Sequence, residues 1–375
     1  MEWSPQQELA IAEISKWLKS RTSPQIFRLF GYAGTGKTTL ISEISELVKG
    51  QVVYMAFTGK AALVMQKKGC YGASTIHSAI YRPVEDKKTG EVEFVLNYDS
   101  MVATADLIII DEVSMVNAEI GEDLLSFGRK VLVIGDPFQL PPVKGEGFFT
   151  SGNPDIMLTE IHRQARDNPI IRLSIDIREH RSLFNQNYDQ CKVFNRSAVD
   201  NPEFDNVLKM VDQVLCGMNR TRTSLNGRIR LAKGIANPLD LTEPKIGDKL
   251  ICLRNNNKKG LLNGGLWEAT SVELATMNGE YAINMKSLDE LGDNVDFNAR
   301  VPKEFFSGGE DKLDWRYRKN IDEFTFGDAL TVHKSQGSQW NNVLIVDESR
   351  VFREHSDRHL YTAVTRAAER VYLAL

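Results

Sequence analysis

Several things are scarce in this chain. It has four cysteines, Cys70, Cys191, Cys216 and Cys252, in 375 residues. No two have metal-ligand spacing, so neither a disulfide framework nor a cysteine metal module is expected, and ordinary reduced thiols are. The six histidines form no ligand pair on one helical face. Neither sign of charge dominates: 46 Lys and Arg stand against 50 Asp and Glu, for a net charge of −4. That excludes a generally basic nucleic-acid binder, and any such site must be a local groove of Lys and Arg. No apolar run approaches the ~18 residues of a membrane span. Met1 to Ala10 is too polar for a signal peptide, so an intracellular soluble protein is expected. Internal repeats and low-complexity tracts are also lacking.

What is present is ordinary globular material. The chain is 42% hydrophobic and 26% charged, which excludes a disordered or fibrous protein. At roughly 150 residues per domain, its length suggests two or three domains with a core that needs no staple. Short apolar runs, several rich in β-branched residues, read as buried parallel strands. They are Ile26–Phe30, Val52–Phe57, Leu107–Ile110, Val131–Ile134, Val343–Val346 and Val371–Leu375. Helical spacing lies between some of them, at Leu9, Ile11, Ile14 and Leu18, and at Leu40, Ile41, Ile44, Leu47 and Val48. Alternation of this kind implies an α/β fold with parallel sheets.

Two stretches break the rhythm. Arg82 to Asp99 reads as a β-hairpin with Lys87-Lys88-Thr89-Gly90 at a charged tip. Ile246 to about Phe326 is dense in turn signals such as Asn263-Gly264-Gly265 and Ser307-Gly308-Gly309. Short alternating runs, Lys249–Leu253 and Tyr281–Met285, lie between them, which predicts a small β-rich insertion of barrel type.

Gly31-Tyr32-Ala33-Gly34-Thr35-Gly36-Lys37-Thr38 matches G-x-x-x-x-G-K-[ST] in full, follows a strand and opens a helix. Glycines let backbone N–H groups close around phosphate oxygens, and the helix N-terminus adds partial positive charge. Lys37 is placed to reach the β- and γ-phosphates, and Thr38 to ligate Mg²⁺. Thr39 follows. Downstream, the strand Leu107–Ile110 runs into Asp111, a second Mg²⁺ ligand, and Glu112, placed to activate a water. Together they predict a nucleoside triphosphatase. Gln139 follows a further strand in Gly135-Asp136-Pro137-Phe138-Gln139, at the sheet edge where open α/β folds bind ligands.

Near the C-terminus stand Thr331-Val332-His333-Lys334-Ser335-Gln336-Gly337 and Tyr361-Thr362-Ala363-Val364-Thr365-Arg366-Ala367. An arginine distant in sequence can still complete a phosphate site. Read with the earlier segments, they make the chain resemble the superfamily 1 DNA helicases, in particular the RecD-like and Dda-like group. The resemblance runs from Gln7 to Arg366. Ser4-Pro5-Gln6-Gln7 is similar to that group's Q motif, with Gln7 as adenine reader. Gly31–Thr39 resembles motif I and Ala56–Ala62 motif Ia. Ser74–Ser78 is similar to the next strand-contacting segment. Asp111–Met115 resembles motif II, Gly135–Pro142 motif III, Leu158–Gln164 motif IV with Arg163, Thr331–Gly337 motif V, and Tyr361–Ala367 motif VI.

The resemblance implies two RecA-like P-loop domains with parallel sheets, a hairpin insertion in the first and a small β-barrel insertion in the second. Residues 1–165, with the hairpin at about 82–103, would form the first. Residues 166–245 and 327–375 would form the second, and 246–326 the insertion. It implies ATP and Mg²⁺ as cofactors, ATP lying between the domains, and single-stranded DNA and a duplex junction as partners of a monomer in a phage or bacterial cell. The expected catalytic residues are Lys37, Glu112, Gln139, Arg163 and Arg366. Nucleotide contacts are expected from Gln7, Gly31, Ala33, Gly34, Thr35, Gly36, Lys37, Thr38, Thr39, Gln336 and Gly337, and metal ligation from Thr38 and Asp111. Strand contacts are expected from Thr58, Lys60, His77, Phe94, His333 and Lys334. Phe94 or Tyr98 is the candidate strand-separating residue. Arg254, Lys258, Lys259 and Trp267 have a stronger reading as surface charges and barrel core, and Asn219-Arg220-Thr221 is a weaker candidate. The implied activity is Mg-dependent translocation from 5′ to 3′ with unwinding. A motor subunit of a recombination or nuclease complex and a nucleotide-gated protein-binding switch are the alternatives. Repair, recombination and replication restart all remain open as processes.

Overall fold

The computed structural model describes residues 3–85, 92–143, 145–160, 168–184, 188–256, 259–275, 279–289 and 296–375. The chain forms two compact units that divide between Ser174 and Ile175. That point lies inside the helix Pro169–Arg178.

The first unit opens on α1 (Pro5–Lys19). Ser4 caps it, accepting from Gln7 N while the Gln7 side chain accepts from Ser4 N, and Pro5 supplies a preset first turn. At its other end Lys130 Nζ donates to the carbonyls of Trp17, Leu18 and Ser20. There follow β1 (Ile26–Gly31), α2 (Lys37–Glu46), β2 (Val52–Ala56), α3 (Gly59–Lys67), β3 (Ser74–Thr75), α4 (Ile76–Ile80), β4 (Tyr81–Glu85), β5 (Val92–Leu96), β6 (Leu107–Asp111), α5 (Ala118–Leu125), β7 (Val131–Gly135) and β8 (Ile156–Leu158). Six of the strands form a parallel sheet in the order β3-β2-β6-β7-β1-β8.

Strand periodicity divides the core between the two faces of that sheet. Leu107, Ile109, Leu132 and Ile134 pack with Ile14 of α1 and Leu40, Ile41 and Ile44 of α2. Ile108, Ile110, Val131 and Val133 pack on the other side with Ile76, Val102 and Leu124. Each such side chain contributes about 1.5–3 kcal/mol on burial. β6 and β7 are buried along their whole length. This is why they read as continuous apolar runs and why the polar Asp111 at the end of β6 stands out.

The second unit has a five-stranded parallel sheet. It comprises β9 (Cys191–Phe194), β10 (Gln213–Cys216), β16 (Ala329–Thr331), β17 (Trp340–Val346) and β18 (Ala367–Ala374), in the order β16-β10-β17-β18-β9. Leu225 and Ile229 of the helix Asn219–Ala232 pack on Val214, Cys216, Leu344 and Val346.

The two stretches that break the α/β rhythm form antiparallel strands. β4 and β5 pair as an antiparallel hairpin, whose tip, residues 86–91, lies outside the described residues. The expected small barrel takes the form of an antiparallel sheet in the order β14-β13-β12-β11-β15. Its strands are β11 (Lys249–Cys252), β12 (Leu266–Ala275), β13 (Glu280–Ser287), β14 (Asp296–Pro302) and β15 (Phe324–Phe326). The sheet curls: Asp322 N, just before β15, donates to Arg300 O of β14 at 2.9 Å. Trp267, Ile283, Met285, Val301 and Phe324 fill its interior. Trp267 is therefore core. Lys259 pairs with Asp322 and Arg254 with Glu323; Lys258 lies outside the described residues. The four cysteines are buried free thiols, and no helix among the described residues is long and apolar enough to cross a membrane.

Candidate active site

The carboxyl ends of β1, β6 and β7 converge on one edge of the first sheet. β1 ends in Gly31, where a Cβ would come within 2.7 Å of Thr35 Oγ1 and 2.9 Å of Leu158 Cβ, so only glycine fits. Gly34 and Gly36 hold positive φ, 80° and 75°, a backbone that favours glycine and shapes the loop ahead of α2. Thr35 Oγ1 ties the loop to itself by donating to Tyr32 O at 2.8 Å. Lys37 Nζ donates to Gly31 O (2.6 Å) and Tyr32 O (2.8 Å), folding the ammonium over the loop. Ala33 lies within the loop, and Thr39 is exposed on α2. Gln7 is buried at 1% exposure, and its Nε2 donates to Thr35 O at 3.2 Å.

Asp111 closes the opposite wall. Thr38 Oγ1 lies 3.2 Å from its Oδ2, and its Oδ1 accepts from Glu112 N at 2.9 Å. Burial raises the Asp111 pKa, and the neighbouring Glu112 charge adds to the shift, against lowering by the Glu112 N–H, Lys37 and Thr38. A hydroxyl and a buried carboxylate at this distance form a hard oxygen donor pair suited to a divalent cation such as Mg²⁺. Glu112 holds a left-handed φ of 56°, a conformation uncommon for a residue with a Cβ and one that redirects the chain away from the strand. Gln139 follows β7 and is 6% exposed, and its Oε1 has no hydrogen-bond partner among the described residues. Asp136 accepts from Phe138 N at 3.0 Å and shapes the turn that presents Gln139.

The expected strand-contacting residues of this unit follow the same sheet edge. Thr58 caps α3 by accepting from Ala61 N at 3.2 Å, and Lys60 stands in the first turn of that helix. A capping hydroxyl keeps its own proton free to donate. His77, in α4, meets Tyr81 at 4.8 Å and Phe94, in a T-shaped contact, at 4.7 Å between ring centroids. Phe94, on β5, is 53% exposed. Tyr98 is also exposed and leans on Phe127 at 5.1 Å.

In the second unit, His333 and Lys334 lie in the short helix Val332–Ser335, followed by the buried Gln336 and by Gly337 at φ 75°. Arg366 is 5% exposed. Its Nε donates to Thr362 O at 3.1 Å, with longer contacts to Ser338 O and Thr365 Oγ1. Thr221 Oγ1 donates to Glu348 Oε1 at 2.6 Å. Arg163 lies outside the described residues. Sequence reasoning passed over His359, which is fully buried, stacks on Phe352 at 4.2 Å and stands 6.2 Å from His333. Burial pushes its imidazole down to about 3, with a smaller effect from His333. Its place in the helix leading to Arg366 was the only signal for it. Among the described residues no group of three His, Cys, Asp or Glu is arranged to hold a metal.

A phosphate loop beside a strand-end Asp-Glu pair defines a P-loop ATPase-type site, and the second parallel sheet narrows the class further. A family model described as an AAA domain matches residues 3–193, and one described as a UvrD-like helicase C-terminal domain matches residues 326–374. The ATP-dependent RecD2 DNA helicase of Deinococcus radiodurans is 28% identical, over 92% of this chain and 46% of that protein. The ATP-dependent DNA helicase Pif1 of Campylobacter jejuni is 24% identical, over 90% of this chain and 86% of that protein. A structure of Pif1 helicases coordinating on forked duplex DNA covers all of this chain and 92% of its own, at 20% identity and a TM-score of 0.62. Bacteroides Pif1 bound to single-stranded DNA does the same at 18% identity and 0.60. The chain belongs to the AAA-domain family so matched and, with these relatives, to the RecD-like and Pif1-like branch of the superfamily 1 helicases, with two RecA-like domains. It spans just under half the length of the Deinococcus protein and about a third of an uncharacterised Methanocaldococcus jannaschii relative.

Proposed function

We propose that this chain is an ATP-dependent DNA helicase that moves 5′ to 3′ on single-stranded DNA and opens duplexes by Mg²⁺-dependent ATP hydrolysis. The observation that carries the reading is the joint geometry of Lys37, Thr38, Asp111 and Glu112 on one sheet edge. Bound Mg²⁺ would neutralise charge on the β- and γ-phosphates. Lys37 would leave the Gly31 and Tyr32 carbonyls for phosphate oxygens, and Thr38 and Asp111 would hold the cation. Glu112 would orient the attacking water, with Gln139 beside the γ-phosphate. Arg366 and Arg163 would add positive charge as the phosphate bond breaks. Gln7, the glycines at 31, 34 and 36, Ala33, Thr35, Thr39, Gln336 and Gly337 complete the proposed nucleotide contacts.

Thr58, Lys60, His77, His333 and Lys334 are proposed to bind the strand. Small donors and cations suit phosphates, and rings suit bases. Phe94, exposed on the hairpin and backed by His77, is proposed as the residue on which the duplex parts. We assign residues 1–165, 166–245 with 327–375, and 246–326 to the first motor domain, the second and the insertion, acting as a monomer. Polarity is tested on duplexes with a single 5′ or 3′ tail. Unwinding from the 5′ tail alone is expected, and unwinding only from the 3′ tail contradicts the proposal.

A further inference from the structure

Gln6 precedes the proposed adenine reader, and no motif gives it a task. Its side chain bridges 153 positions in sequence to the end of β8. Oε1 accepts from Thr159 N at 2.8 Å and from Glu160 N at 2.9 Å, and Nε2 donates to Thr159 Oγ1 at 3.0 Å. One amide thus engages three polar groups at that strand end.

This strand end forms a wall of the phosphate loop. β8 is a three-residue strand at the margin of the sheet, paired with β1 alone among the described strands. Short edge strands open at little cost in free energy unless something ties them down. The residue before Thr159 is Leu158, whose carbonyl accepts from Tyr32 N at 3.4 Å and whose Cβ abuts Gly31. Gly31 and Tyr32 in turn hold Lys37 through their carbonyls. A continuous path therefore runs from Gln6 through β8 and the first turn of the loop to the lysine. Gln7 grips the same loop at Thr35. Two adjacent glutamines of α1 secure the loop at both ends, one directly and one through β8.

We propose that Gln6 is a positioning residue for adenine-nucleotide binding: it fixes the end of β8 so that Gly31, Tyr32 and Lys37 are set for phosphates. This rests on the nucleotide reading given under Proposed function. The chemistry needed of residue 6 is that of an acceptor for two N–H groups, which a carboxylate supplies as well as an amide.

The test is a titration of wild type, Gln6→Leu and Gln6→Glu with a fluorescent ADP analogue, below the melting range of each and in salt that screens an added charge. Gln6→Leu should bind about ten-fold more weakly, the scale of the lost hydrogen bonds. Gln6→Glu should stay within about two-fold of wild-type affinity. A clip serving stability alone would lower the melting temperature of Gln6→Leu and leave its ADP affinity unchanged, which overturns the proposal. Equal loss of affinity in both variants also overturns it, because the acceptor pair would then not be what matters. Failure of the wild type itself to bind the analogue would refute the underlying nucleotide reading instead.

Discussion

The Thr38 hydroxyl and the Asp111 carboxylate stand 3.2 Å apart, joining two segments 73 residues distant in sequence. Burial and the Glu112 charge raise its pKa to about 6. A raised carboxylate pKa means that the fold is most stable with the proton on, and this stability is lost as pH rises through the folded value. Asp111→Asn should therefore melt at a higher temperature than wild type above pH 6 without nucleotide or Mg²⁺, while losing ATPase activity. A lower melting temperature at pH 7 would contradict the burial argument.

The same shift sets a pH dependence for activity. A group that must bind a cation as its anion limits kcat/KM where it protonates in the free enzyme. The kcat/KM for Mg-ATP should fall as pH drops below about 6, with the inflection absent from Mg²⁺-independent nucleotide binding. An acid limb near 4 would show that burial leaves Asp111 unperturbed.

Phe94 is exposed on the hairpin, in a T-shaped contact with His77 at 4.7 Å. Opening a base-pair step takes about 1.4 kcal/mol on average, within reach of a stacking wedge in an ATP-driven cycle. Phe94→Ala should lower the unwinding rate several-fold while DNA-stimulated ATPase stays near wild type. Equal loss of both activities would remove Phe94 from strand separation.

The sheets were legible because buried parallel strands are written as apolar runs. β1, β2, β6 and β7 lie where Ile26, Val52, Leu107 and Val131 begin those runs. β8 and β9 were missed because, at three and four residues on sheet margins, they leave no run long enough to see. The ten-residue β12 hid behind a register shift between Ala269 and Ser271, which breaks its alternation. In the site, glycines and the Asp-Glu pair announce themselves through local geometry. Contacts that join distant segments do not: nothing near Gln6 in sequence signals Thr159, 153 positions away.

Arg230 and Asp248 illustrate the same limit. Both side chains are fully buried, and they meet at 2.6 and 2.9 Å, with Arg230 also donating to Leu241 O and Glu243 O and lying over the Phe326 ring. Burial raises the Asp248 pKa even with the guanidinium present. The pair ties the helix Asn219–Ala232 to the start of the inserted sheet. Removing one partner strands a buried charge, so Asp248→Ala should lower unfolding stability by about 3–5 kcal/mol in denaturant melts. A change below about 1 kcal/mol would mean that the site relaxes and lets water in.

The most direct test of the whole account is the steady-state ATPase rate with and without a single-stranded DNA oligonucleotide, with Lys37→Ala as the control. Strong stimulation by DNA in the wild type, absent in Lys37→Ala, is the predicted result. Hydrolysis that depends on Lys37 yet does not respond to DNA would contradict a motor on single-stranded DNA.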